Sequence, residues 1–221
     1  MVQIHSAAKE NIMIIKTVQV GELRTNCYIA ASSKTREAII IDPGDEAEKI
    51  IDAIEAEKLK PILIVNTHAH PDHVGANFKL AEKYDIVAAL GEDGYKMIED
   101  YKGYFEDFSG LKIEDLSIEK LLKDNNIIDL GEIQLKVIKT SGHSKGSICL
   151  YARLPDGQGN GVLFSGDTLF AGTYGRTDIP GGSEEEMQVS IKKLMELPDE
   201  TVVYPGHGSR TTIAEERKLY A

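Results

Sequence analysis

The chain has 221 residues, 42% of them hydrophobic and 28% charged, the balance of a globular protein with room for one core of ordinary size and little for a second. Lys and Arg number 25 against 36 Asp and Glu, a formal charge of -11. Such a surface repels phosphate backbones and excludes a general nucleic-acid binder, although a bound cation can reverse the field locally for a small anion.

Cys27 and Cys149 stand far apart in apolar, strand-like runs and read as reduced core residues. No apolar run approaches the roughly 18 residues of a membrane span, and the segment before Met13 has no long apolar stretch. Neither a membrane association nor a signal peptide is expected, and the cytoplasm is the expected location. Residues 1–12 read as an N-terminal extension and 13–221 as a single domain.

In chain order, Ile12–Val20, Asn26–Ala31 and Glu37–Ile41 read as strands, divided by Gly21 and by Ser32-Ser33-Lys34 and stopped at Asp42-Pro43-Gly44. Glu46–Lys58 carries Ala47, Ile50, Ile51 and Ile54 at helical spacing. Pro61–Val65 is an uninterrupted apolar run, as in a strand covered on both faces. A helix over Val74–Tyr84, a strand over Ile86–Leu90 and a helix over Glu92–Asp100 follow. The aromatic stretch Tyr101, Tyr104, Phe105 and Phe108 suits either a lid or a small packed patch. Ile133–Ile138, Ser147–Tyr151 and Val162–Phe164 are strand-like, the last two joined by a hairpin-type loop over 155–161. Ser183–Leu197 reads as a helix with Ser183 as N-cap and Glu186 completing a capping box. Thr201–Tyr204 is a last strand and Thr211–Leu219 a closing helix. The strands fall into two blocks divided near residue 115, which predicts two packed sheets with helices outside, an α/β sandwich.

One segment dominates the chemistry: Thr67-His68-Ala69-His70-Pro71-Asp72-His73, directly after a buried strand. Neutral imidazoles crowded this closely gain little from one another, and charged ones repel. A divalent cation resolves the conflict, because imidazole nitrogen and carboxylate oxygen are good ligands for zinc and similar ions. His143 in Ser141-Gly142-His143-Ser144 and His207 in Pro205-Gly206-His207-Gly208 also follow strands and have glycine beside them, which lets the backbone turn the side chain over a sheet end. Asp167 in Ser165-Gly166-Asp167-Thr168 follows the same logic, and its two oxygens can reach two cations.

His-x-His-x-Asp-His, then a Gly-His, a Gly-Asp and a final Gly-His turn, resembles the metallo-β-lactamase superfamily from about residue 13 to the end. The resemblance implies a four-layer αβ/βα sandwich with two divalent metal ions at one edge, zinc first and iron or manganese as alternatives. It implies His68, His70 and His143 on the first metal, Asp72, His73 and His207 on the second, and Asp167 bridging. Asp42 matches an early aspartate that supports the ligands by hydrogen bonding. Gly166-Asp-Thr-Leu-Phe followed by Gly175-Arg-Thr-Asp is similar to glyoxalase II-like proteins and to persulfide dioxygenases. By spacing, Arg176 and Asp178 occupy the places of the lysine and tyrosine that hold glutathione in glyoxalase II. His70 stands where flavodiiron reductases carry glutamate, which disfavours that branch.

The expected activity is hydrolysis of a small-molecule acyl substrate, a thioester above all, by a hydroxide shared between the metals. Asp72 would orient that hydroxide or accept its proton, and Arg176 would either pair with a substrate carboxylate or form a structural salt bridge. The alternatives are a persulfide dioxygenase with one iron on His68, His143 and Asp167, an RNA-processing nuclease, which the acidic charge disfavours, and a metal store without turnover.

Overall fold

The structure, a computed structural model, describes residues 12–100, 102–154 and 161–220. Its first half begins as an antiparallel meander, β1 (Met13–Val20), β2 (Thr25–Ser32) and β3 (Glu37–Ile41). Helix α1 (Ala47–Ala56) then crosses to the parallel strand β4 (Lys60–Asn66), and α2 (Pro71–Val74) and α3 (Asn77–Tyr84) lead to the parallel β5 (Ala88–Gly91). Helices α4 (Glu92–Asp100) and α5 (Lys102–Ser109) and a 3-10 turn at Ile113–Leu116 precede β6 (Ile118–Leu122), again parallel. These strands form one six-stranded sheet in chain order.

The second half supplies β7 (Ile127–Leu130), β8 (Ile133–Lys139), β9 (Ile148–Ala152) and β10 (Val162–Gly166), then a two-stranded ribbon of β11 (Leu169–Phe170) and β12 (Thr173–Tyr174). Helix α6 (Glu184–Leu194), β13 (Val202–Pro205), β14 (Thr211–Thr212) and α7 (Ile213–Tyr220) complete it. The second six-stranded sheet has the order β14-β13-β10-β9-β8-β7, with β10 and β13 parallel and its other pairs antiparallel.

Every residue of β2 is buried, because its sheet is covered on both faces. Tyr28, Ile39, Ile41 and Val65 meet Leu135, Val137, Leu150 and Phe164 in the core between the sheets. Ile29, Ile40 and Ile64, on the opposite face by the alternation of a strand, pack beneath Ile50 and Ile54 of α1 and Leu80 of α3. Cys149, Leu163 and Val203 do the same under Met187 and Ile191 of α6 and Ile213 of α7. The layers are therefore helix, sheet, sheet, helix, the α/β sandwich that the sequence predicts.

Four local expectations are corrected. The divide between the halves lies between Leu122 and Ile127, not near 115, because β6 and β7 are short strands that the sequence reading passes over. β6 has three exposed residues in succession, so it carries no clean two-residue alternation. The helix expected over Val74–Tyr84 breaks at Gly75-Ala76, where the chain meets the Pro43–Gly44 corner and Ala76 N–H donates to the Pro43 carbonyl at 2.9 Å. The capping box is only half formed: Glu186 N–H donates to Ser183 Oγ at 3.3 Å, but Ser183 N–H goes to the Gly142 carbonyl at 2.8 Å, and the helix ends at Leu194. Thr211 and Thr212 pair with β13 before the closing helix begins. The hairpin-type loop at 155–160 and Tyr101 lie outside the described residues, as does the extension before residue 12. Among the described residues no helix is long and apolar enough to cross a membrane.

Candidate metal centre

Strands β3 and β4 are parallel, and so are β10 and β13. Because β9 runs antiparallel to both of its neighbours, β8 points the same way as β10. The chain therefore leaves β3 at Asp42, β4 at Thr67, β8 toward His143, β10 at Asp167 and β13 toward His207. Backbone bonds stitch these ends across the two sheets: Ile148 N–H to the Thr67 carbonyl at 2.8 Å, and Asn26 N–H to the Gly206 carbonyl at 2.7 Å. The sheets alone thus bring residues separated by up to 165 positions to one edge, as Asp42 and His207 show by their numbers.

All seven side chains singled out from the sequence as metal-ligating candidates converge there. His68, His70 and His143 present one group of donor atoms within 4.8 Å of one another; His68, His73 and Asp167 present a second, and Asp72, His73 and His207 a third. Asp167 stands between the outer groups: Oδ1 is 3.5 Å from His73 Nε2, and Oδ2 is 3.6 Å from Nε2 of both His143 and His207. Asp72 Oδ2 lies 3.4 Å from His73 Nε2 and 3.3 Å from His207 Nε2.

The donors facing inward lack protein partners where burial should demand them. His68 Nε2, His73 Nε2 and Asp167 Oδ1 are buried without a hydrogen bond, an arrangement that costs free energy unless something else occupies their lone pairs. His70 Nδ1 and His143 Nε2 meet only each other, at 2.9 Å. Three of the opposite ring nitrogens, by contrast, are engaged: His143 Nδ1 is 2.8 Å from the Arg176 carbonyl, His207 Nδ1 is 3.2 Å from the Leu23 carbonyl, and His68 Nδ1 is 3.1 Å from Thr67 Oγ1. His73 Nδ1 makes no hydrogen bond but faces the Asp42 carboxylate at 3.1 Å. Inner nitrogens bare and outer ones tethered is how a protein orients imidazoles toward cations, so these residues fit divalent metal ions.

Protonation follows the same division. Burial, with His73 and then His70 nearby, holds His68 well below the ordinary histidine range, and burial beside His143 holds His70 down to about 3. Burial also lowers His143. Burial opposes charge on His73 as well, but the carboxylates of Asp167 and Asp42 outweigh it and lift the group to about 9. Asp72 is partly buried, which favours its neutral form, yet the hydrogen bond with His207 and the charge of His73 hold it well below the usual carboxylate range. His207 is raised in turn by Asp72.

The supporting residues were only partly visible in the sequence. Asp42 is where the reading placed it: its oxygens accept from Thr67 N–H and Oγ1, both at 2.7 Å. It sits at φ 52°, in the left-handed region that Asp tolerates better than most residues. Thr25, whose Oγ1 donates to Asp72 Oδ2 at 2.9 Å, was missed, as was Asn26, whose amide donates to the Pro205 and Gly208 carbonyls at 3.0 Å and holds the His207 turn. Neither has a local sequence signal, since each acts on residues far away in the chain. Gly44 did carry a signal: a Cβ there would lie 1.6 Å from the Asp72 carbonyl oxygen, so the Asp-Pro-Gly corner is needed for close approach as well as for the turn.

Arg176 lies on the rim of the site, but its guanidinium is taken by Asp178 through two bonds of 2.7 and 3.0 Å, with both side chains exposed. Of the aromatic segment, Phe105 is buried against Ile98 and lines the site. The side chains of Tyr104 and Phe108 fall outside the described residues. The cavity above the candidate ligands encloses about 350 Å³ and is bounded by Leu23, Met97, Ile98, Phe105, Ile179 and Pro180 beside the His and Asp groups.

Comparison with known proteins agrees with this geometry. The chain is 33% identical over 207 residues to the probable metallo-hydrolase YqgX of Bacillus subtilis (91% of this chain, 93% of the relative). It is 31% identical over 209 residues to the hydroxyacylglutathione hydrolase GloC of Haemophilus influenzae (93% and 96%). Among crystal structures it is similar to BLEG-1 B3 metallo-beta-lactamase, with a TM-score of 0.81 at 33% identity, covering 93% of this chain and 97% of the other. It is likewise similar to TTHA1623 in a di-iron-bound form (0.77, 34%, covering 92% and 97%) and to ETHE1 from Myxococcus xanthus (0.76, 25%, covering 94% and 83%). Residues 20–207, from the end of β1 to the last candidate ligand, match the metallo-beta-lactamase superfamily as a whole. With the sandwich, the strand-end histidines and this match in agreement, the chain belongs to the metallo-beta-lactamase superfamily.

Proposed function

We propose that this protein is a dinuclear metal-dependent hydrolase that cleaves a thioester of a small acyl group, in the manner of glyoxalase II. One observation carries the reading: two groups of inward-facing donors flank a shared carboxylate, Asp167, on the floor of a largely apolar cavity. His68, His70 and His143 would hold one ion and Asp72, His73 and His207 the other, with Asp167 between them. Zinc is the ion that this donor set suits first, and the similarity to a di-iron structure keeps iron in view. The chemistry that divalent ions would supply there is an ionised water at neutral pH and polarisation of an acyl carbonyl.

The chain's own residues do the rest. Asp72 remains a carboxylate, is steadied by Thr25, and borders the cavity, so it can orient a water or take its proton. Met97 and the buried Ile98 and Phe105 set apolar surface beside the floor, which would strengthen charge interactions there once a substrate covers it. A thiolate leaving group, with a thiol pKa of about 8.5, needs little acid assistance. That matches a lining in which, among the described residues, no uncommitted general acid stands beside the candidate ligands.

A second reading, a persulfide dioxygenase with one ferrous iron on His68, His143 and Asp167, draws support from the similarity to ETHE1. Asp72, His73 and His207 then have no assigned role, which favours the hydrolase. Elemental analysis paired with an S-lactoylglutathione assay tests the choice. Two metal equivalents and thioester turnover are expected; one iron with oxygen uptake on glutathione persulfide would replace the hydrolase by the dioxygenase.

A further inference from the structure

The cavity over the candidate metal centre has two unlike parts. Its floor is polar, made of His70, Asp72, His143, Asp167 and His207. Its wall comes from four separate segments: Leu23 on the β1–β2 turn, Met97 and Ile98 on α4, Phe105 on α5, and Ile179 and Pro180 after β12. Among the described residues no lysine lines it, and Arg176 is its one cationic side chain apart from the histidines. Asp178 meets that guanidinium edge-on through Nε and Nη2. Because both groups are exposed, the pair adds little to stability. Its consequence is for recognition: an incoming carboxylate at Arg176 meets the charge of Asp178 in the same place, and one of the two paired-donor edges of the guanidinium is already occupied.

We infer that the wall selects an uncharged aliphatic acyl group and that Asp178 is a specificity-determining residue, cancelling the cation that would otherwise anchor an acyl chain ending in a carboxylate. This rests on the thioester reading above and names the acyl class within it. The volume, about 350 Å³, is at the small end of small-molecule pockets, which run from about 300 to 1,000 Å³, and so fits a short chain. Attraction of anions by ions on the floor would not reverse the preference, since the acyl oxygen would compete for that position and leave a terminal carboxylate against the wall. The wall is also anchored to the centre. The Leu23 carbonyl meets His207 Nδ1 at 3.2 Å, and α4 approaches the loop bearing His143 so closely that a Cβ on Gly146 would lie 2.0 Å from the Gly94 Cα.

Ketone analogues of N-acetylcysteamine thioesters, in which a methylene replaces the thioester sulfur, keep the acyl oxygen but cannot be hydrolysed; with ethyl, propyl, butyl or 3-carboxypropyl groups on the carbonyl they report on the wall without turnover. Titrated calorimetrically into the metal-loaded protein, they should tighten about fourfold with each methylene from ethyl to butyl. The terminal carboxylate should weaken binding about tenfold relative to propyl. Asp178→Asn should recover most of that loss by freeing Arg176, and Met97→Ser should flatten the dependence on chain length. Carboxypropyl binding as tight as propyl, or no tightening from ethyl to butyl, overturns the inference. The matching propanoyl, pentanoyl and glutaryl thioesters separate the two readings. Turnover without an aliphatic preference overturns this inference and leaves the hydrolase standing. An aliphatic preference in binding, with no turnover of these or of S-lactoylglutathione, upholds the wall and overturns the hydrolase.

Discussion

The carboxylate of Asp42 stands 3.1 Å from Nδ1 of His73, with both side chains almost completely removed from solvent. This places a buried acceptor behind a candidate ligand, while the same carboxylate takes the amide and hydroxyl of Thr67 at the end of β4. One residue in a left-handed conformation thus joins the end of β3 to the His-x-His loop.

Asp42→Asn tests that arrangement, because Asn tolerates the same backbone conformation and keeps an acceptor for Thr67 while losing the charge facing His73. Metal affinity should fall about 10- to 100-fold, the usual effect of removing a support behind a ligand. Competition with a chromophoric chelator measures it, and unchanged affinity would remove Asp42 from the support of the centre.

Metal removal should destabilise the protein as well as inactivate it. The unpartnered buried donors of His68, His73 and Asp167 would gain partners on binding cations. At free metal about 100 times Kd, binding to the folded state adds about 2.7 kcal/mol, or roughly 5–10 °C in Tm for a chain of this size. Thermal scans with and without a chelator read this directly, and identical melting curves would count against a metal centre.

Two glycines should resist substitution for different reasons. In Gly44→Ala the new methyl would lie 1.6 Å from the Asp72 backbone oxygen, which cannot rotate away, so a loss of about 3 kcal/mol is expected in urea unfolding. In Gly206→Ala the methyl would lie 2.2 Å from Asp167 Oδ1 and 2.9 Å from His73 Cε1. Displacing those side chains should lower metal stoichiometry in elemental analysis more than it lowers stability.

Cys27 and Cys149 are both fully buried. Burial raises both thiols, Cys149 from 9.0 to about 11. Neither should react with iodoacetamide at pH 8 in the native protein, and both should react after denaturation, as mass spectrometry would show. The sign of the pH effect follows. These thiols stay protonated in the fold after those of the unfolded chain have ionised, so their contribution is complete below about pH 9 and is lost as pH rises toward 11.

Much of the centre was legible because catalytic loops follow strands. His143, Asp167 and His207 each come shortly after a hydrophobic run with a glycine immediately before them, and the His-x-His-x-Asp-His loop follows the apolar run Pro61–Val65; such punctuation is local. The strands β2, β3 and β4 were legible for a similar reason, since burial on both faces leaves an almost unbroken apolar run. β6 and β7 were not: β6 has three exposed residues in succession, and β7 has only four residues, with the apolar Ile127 on its exposed face, so its alternation does not show in the residue types.

What residue order alone determined was therefore the inventory: which side chains can ligate, which runs enter the core, and where the chain turns. Tertiary structure alone decided the pairings. Thr25 reaches Asp72 across 47 positions and Asn26 reaches the His207 turn across more than 175; Arg176 faces Asp178 instead of standing free. Hydrogen bonds and ion pairs act over a few ångströms, so only the packing of two sheets, with their strand ends at one edge, could select these partners from the many that composition permits.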